Sequence, residues 1–77
     1  MDRVQYKGYF IEAAPRQLAD DHRWTVNINI ERHDDKGIDV RPFSASNTFE
    51  TREEAIQHCF NFGGQIVDGQ VSGCTPP

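Results

Sequence analysis

Residues 51–67 repeat their apolar side chains at the spacing of a helix, and that repeat demands a surface to cover it. Ala55, Ile56, Cys59, Phe60, Phe62, Gly63, Ile66 and Val67 recur at three- and four-residue steps, a wide apolar stripe on one side. Thr51-Arg52-Glu53-Glu54 has the capping-box form, a hydroxyl at the N-cap and a carboxylate three residues on, each answering an N–H that a helix start leaves free. Asp68-Gly69 supplies a stop. Gly63-Gly64 inside the repeat needs a cause, since each glycine costs about 1 kcal/mol relative to alanine in a helix. Either the helix approaches its covering surface closely there, or it breaks and residues from Gln65 onward form a separate turn.

The covering surface is written in the residues ahead of the helix. Trp24, Val26, Ile28 and Ile30 alternate with Arg23, Thr25, Asn27, Asn29 and Glu31, the pattern of an antiparallel strand with one wet face. Before it, Tyr9, Ile11 and Ala13 share one face of an extended segment and Phe10, Glu12 and Ala14 the other. Lys7-Gly8 between two tyrosines reads as a tiny hairpin or as a bulge in one longer strand. Residues 15–21 read as a loop or as a ragged continuation of the strand, broken by Pro15 and Asp20-Asp21. A turn at 33–37 uses Gly37 for positive φ, and a further strand spans about 38–45. There Ile38 and Val40 share a face, Pro42 interrupts, and Phe43 and Ala45 fall in the other register. Proline cannot donate to a ladder, which predicts an edge strand with a bulge near Pro42 that returns Phe43 to the core side. Phe49 is placed to staple the helix start. The expected fold is α+β: a three-stranded antiparallel meander (β-β-β-α) with one C-terminal helix packed on one face. A single domain spans 1–70, with a flexible tail over 71–77.

Composition narrows the function classes. With 77 residues there is room for one domain, and 36% hydrophobic with 26% charged residues fits a folded chain. A net charge of −4 argues against phosphate-dominated binding to nucleic acid and against anionic membranes. No apolar run approaches the roughly 20 residues that span a bilayer. Met1-Asp2-Arg3-Val4 shows no signal pattern, so a cytoplasmic location is expected. Cys59 belongs to the apolar stripe and Cys74 to the tail, and no disulfide is expected between them.

Chemistry-bearing constellations are not found. His22, His33 and His58 lie on a loop, a turn and the helix, without paired ligand spacing, so no metal site is expected. Ser44 and Ser46 read as turn and capping residues, and Asp20-Asp21 and Asp34-Asp35 as solvated turns. Gly63-Gly64 does not follow a strand and makes no phosphate cradle. The expectation is a non-enzyme with no cofactor and no small-molecule substrate.

A sheet covered on one side leaves its other side to water or to a partner. That face is the candidate partner-binding surface: Phe10, Arg23, Thr25, Asn27, Asn29 and Arg41. A protein partner or a second copy is expected there or on the edge strand, a homodimer first. The alternative is a nucleic-acid-associated protein using Phe10, Arg23 and Arg41. The meander-then-helix order is reminiscent of part of a double-stranded-RNA-binding domain, whose final helix starts with lysines. Here Arg52, Glu53 and Glu54 occupy those positions, and the net negative charge of that surface would repel phosphate.

Taken together, Tyr6-x-Gly8-Tyr9, Arg23-Trp24, Phe49-x-Thr51-x-Glu53-x-Ala55 and Ile66-x-Asp68-Gly69 resemble a group of small bacterial strand-strand-strand-helix proteins, a family of unknown function. The likeness covers roughly residues 4–69. It implies the fold and a bacterial cytoplasmic setting, and it carries no activity and no functional residue.

Overall fold

Two residues decide the strand count. Lys7 and Gly8 both adopt positive φ, 49° and 85°, the paired left-handed conformation whose twist closes a two-residue hairpin. In a computed structural model describing residues 2–77, that turn separates β1 (Arg3–Tyr6) from β2 (Tyr9–Ala13), with Tyr6 opposite Tyr9. The meander therefore has four strands where the sequence reading expected three. Val4 and Tyr6 face the helix, while Arg3 and Gln5 fall on the opposite face, too short a pattern to stand out alone.

The remaining elements are β3 (Trp24–Asp34), β4 (Gly37–Phe49) and α1 (Arg52–Val67). All pairings are antiparallel, in the order β1-β2-β3-β4. Pro15 interrupts the β2–β3 ladder without ending it: Thr25 N–H donates to the Arg16 carbonyl (2.8 Å) and Leu18 N–H to that of Arg23 (2.7 Å).

The expected bulge near Pro42 is not found. Register runs unbroken from Asp34↔Gly37 through Asn29↔Pro42 to Val26↔Ala45, and the irregularity falls between Thr25 and Val26, where β4 takes up Ser46 and Asn47. Plain alternation is enough to put Phe43 and Ala45 on the core side, opposite Ile28 and Val26. The same alternation sends Ile38 and Val40 to the other face. Proline fits inside this strand because β4 is an edge and the pair it makes with Asn29 needs no N–H from it.

Helix α1 lies mainly over β2 and β3. Thr51 caps it, its Oγ1 accepting from Glu54 N–H at 3.2 Å and donating to the Glu54 carboxylate at 3.0 Å. At the other end Gly69 takes φ 75°, Gly69 N–H reaches the Ile66 carbonyl (3.0 Å) and Gln70 N–H that of Gln65 (2.9 Å), the Schellman arrangement. The helix runs through Gly63-Gly64 without a break. A Cβ on Gly63 would stand 2.5 Å from Ile11 Cγ2, so close approach is the reason for the glycine. Ile11, Val26, Ile28 and Ile30 from the sheet meet Ala55, Cys59 and Ile66 from the helix in the core.

Residues 71–77, expected to hang free, lie against the domain. Val71 and Cys74 pack on the core, Tyr9 Oη donates to the Pro77 carbonyl (3.0 Å), and Arg41 Nη1 donates to that of Thr75 (2.8 Å). The outline measures 43 × 26 × 16 Å with a radius of gyration of 12.6 Å, longer than the about 11.5 Å typical of a compact chain this size. The excess length lies in the β3–β4 hairpin, whose residues 32–42 are all exposed. No helix among the described residues is long and apolar enough to cross a membrane.

Candidate interaction surface

Strand alternation divides the six residues of the candidate face. Phe10, Thr25, Asn27 and Asn29 share the side away from the helix. Phe10 is half-buried there, with the Arg3 guanidinium 4.4 Å above its ring and the His33 ring edge-on at 4.9 Å. Asn27 Nδ2 donates to Thr25 Oγ1 (2.6 Å), and Asn29 Nδ2 donates to Glu12 Oε1 (3.3 Å). Arg3, Glu31 and His33 complete a polar row beside Phe10, with Arg3 and His33 at 3.6 Å and 3.3 Å from the Glu31 carboxylate. These side chains satisfy one another, and beside them Asn27, Asn29, Pro42 and Ser44, with Ala14 and Arg16, line a shallow open depression of about 370 Å³.

Arg41 lies on the other side of the sheet, opposite Ile30, where it holds the Thr75 carbonyl. Arg23 precedes β3 and is committed locally: Nε donates to Thr48 Oγ1 (2.8 Å) and Nη2 to the Thr48 carbonyl (2.9 Å), with Glu50 at 3.9 Å. Phe10 is paired with Glu31, eight residues further along the same line, about 26 Å at strand rise. Phe10, Arg23 and Arg41 are therefore not assembled into one stacking and phosphate-gripping surface.

What sequence reasoning missed is the apolar part of this side. Ile38 and Val40 are 60% and 55% exposed, and they flank the outward row that continues into Pro42. Across the sheet, Val40 stands opposite Glu31, which stands opposite Phe10. The signal was there as a change of phase, apolar at 38 and 40 and then at 43 and 45, which the proline made read as a bulge instead of a change of face.

Backbone groups add to the surface. Because Pro42 occupies the ladder without a donor, the residues in phase with it turn their N–H groups away from β3. Those residues are Ile38, Val40 and Ser44. The free edge of β4 thus presents N–H and C=O groups framed by two exposed β-branched side chains.

On the helix side, a groove of about 290 Å³ separates α1 from β4. Val26, Ala45, Phe49 and Phe62 form its floor and His58 and Gln65 its rim, with Phe49 and His58 stacked at 4.1 Å. Cys59 is buried beneath the helix, its Sγ donating to the Asn27 carbonyl at 3.4 Å. Burial pushes its thiol pKa up, partly offset by hydrogen bonds to the Asn27 and Ala14 backbone, so it stays a neutral packing group. Compared with protein-family models, curated proteins and solved structures, the chain matches none of them.

Proposed function

We propose that this chain is a small non-catalytic protein-interaction module that works by accepting an extended strand along β4. The observation that carries this reading is the 13-residue edge strand with exposed Ile38 and Val40. Strand addition draws affinity from main-chain hydrogen bonds and specificity from alternate side chains, and β4 offers both. An exposed edge is also a hazard that folded proteins blunt with charges and proline; β4 carries Asp39, Arg41 and Pro42, yet leaves Ile38 and Val40 exposed among them, which favours a partner that covers them. The open face beside it, with Phe10, Thr25, Asn27 and Asn29, supplies a polar border of the kind that rims interfaces. The likeness to small bacterial proteins of unknown function, and the cytoplasmic setting it implies, belong to this reading.

Val40→Lys places a charge in the middle of the edge without touching the core. The expected outcome is loss of association, with itself or with a captured protein, while circular dichroism stays that of the parent. Gln57→Lys, on the exposed side of α1, should change nothing. Association that survives Val40→Lys intact would rule the edge out.

A further inference from the structure

From the charge pattern of β4 we infer that the strand it accepts is a second copy of itself, paired antiparallel about a two-fold axis through Val40. This rests on the reading of β4 as the interaction edge and names its partner.

For an axis through the exposed stretch 39–42, symmetry leaves four registers. Two copies joined by a two-fold axis normal to the sheet must set outward-facing residues opposite outward-facing residues, so residue sums across the axis are even. Centring on Asp39 opposes two aspartates, and centring on Arg41 opposes two arginines. Centring on Pro42 removes the hydrogen bonds of the central pair. Centring on Val40 sets Asp39 opposite Arg41 of the second copy, and Arg41 opposite Asp39, on the helix side of the sheet. On the open side Val40 meets Val40 and Ile38 meets Pro42. Opposite charges and β-branched or apolar pairs directly across a ladder are the favourable combinations.

The backbone agrees. The central Val40 pair exchanges two hydrogen bonds, and each Ile38 N–H finds a Pro42 carbonyl, so the missing proline donor costs one bond on each side. Among the described residues, Arg41 uses Nη1 on Thr75 and Asp39 uses Oδ2 on Arg32 (3.1 Å), leaving Nε, Nη2 and Oδ1 to pair across the axis. The arrangement also explains the molecule's length. Past the pairing with β2, residues 33–38 project as an exposed two-stranded ribbon that gains little stability by itself. In the Val40 register each hairpin tip lies alongside residues 43–45 of the other copy, giving one continuous eight-stranded sheet with both helices on the same side.

Charge reversal tests the register directly. Asp39→Arg puts arginine opposite arginine and Arg41→Asp puts aspartate opposite aspartate, so each variant alone should dimerise about tenfold more weakly or worse. Mixed one to one they are complementary at both pairs, and a dimer holding one of each should form, seen as the mixed mass by native mass spectrometry. Arg41→Asp that dimerises like the parent, or a folded mixture that stays monomeric, overturns the register. A parent chain that is monomeric at every concentration overturns the second copy as partner. In that case, binding of a different protein that is lost in Val40→Lys would still uphold the edge. If either reversal fails to fold, V40C in a C74S chain replaces it. A cross-linked homodimer on oxidation supports the axis, and none forming overturns it.

Discussion

Gly63 and Gly64 look alike in the sequence and do opposite things in the fold. Gly63 sits where α1 crosses Ile11, and a Cβ there would come 2.5 Å from Ile11 Cγ2. Ile11 is itself buried against Ile30 and has nowhere to shift. Gly64, one step around the helix, would place its Cβ at an ordinary 3.7 Å from Tyr6 Cε2. Gly63→Ala is therefore expected to destabilise by about 1–3 kcal/mol through overpacking. Gly64→Ala should be neutral or stabilising by up to about 1 kcal/mol, from helix propensity. Urea denaturation of the two variants separates the cases, and equal effects would refute the crossing-point account. The sequence showed that a glycine pair needed a reason. It could not show which one touched the sheet, because that depends on the helix's rotation about its own axis.

At the scale of elements, the β1–β2 turn and the end of α1 hold each other. Lys7 Nζ donates to Asp68 Oδ1 at 2.6 Å and Tyr6 Oη to Asp68 Oδ2 at 2.8 Å. No basic residue lies in the last helical turn, so Lys7 supplies from the sheet the cation that a helix C-terminus favours. The hydrogen bond from Lys7, then that from Tyr6, holds the Asp68 carboxyl below its usual range, and Asp68 raises Lys7 in return. A depressed carboxylate stabilises above its unfolded pKa, about 3.9, and that contribution is lost as pH falls through the folded value. A raised lysine stabilises below its unfolded pKa, about 10.4, and loses the contribution as pH climbs through the folded one. The stability gap between the parent and Asp68→Asn should be flat from about pH 4 to pH 10 and shrink on both sides. A gap that changes across neutral pH would point to another group. Element identity was legible here: β3 from strict alternation, α1 from its cap and stripe. The extra strand β1 was not, because it rests on one turn whose Lys7 adopts a φ that few non-glycine residues take.

For the whole molecule, residues 71–77 and the projecting hairpin set the shape. The tail packs Val71 and Cys74 on the core and ties to Tyr9 and Arg41. A chain ending at Gln70 should lose about 1–3 kcal/mol from that burial and those bonds, read as a lower denaturation midpoint. An unchanged midpoint would mean the tail contributes nothing to stability. The tail carries no periodicity, which is why composition alone marked it as free. Likewise four of the six residues proposed for the open face share it by strand alternation, Arg41 lies on the other side, and Arg23, ahead of β3, is held on Thr48, the cross-strand partner of Thr25. Sequence by itself determined the class of fold, one helix whose apolar stripe must lie on an antiparallel meander. It did so because helix and strand periods are local and survive being read in isolation. Only the tertiary structure decided which side of the sheet Arg41, Ile38 and Val40 occupy. That choice depends on where β4 absorbs its two extra residues, and pairing with β3 puts them at Ser46 and Asn47 instead of at the proline.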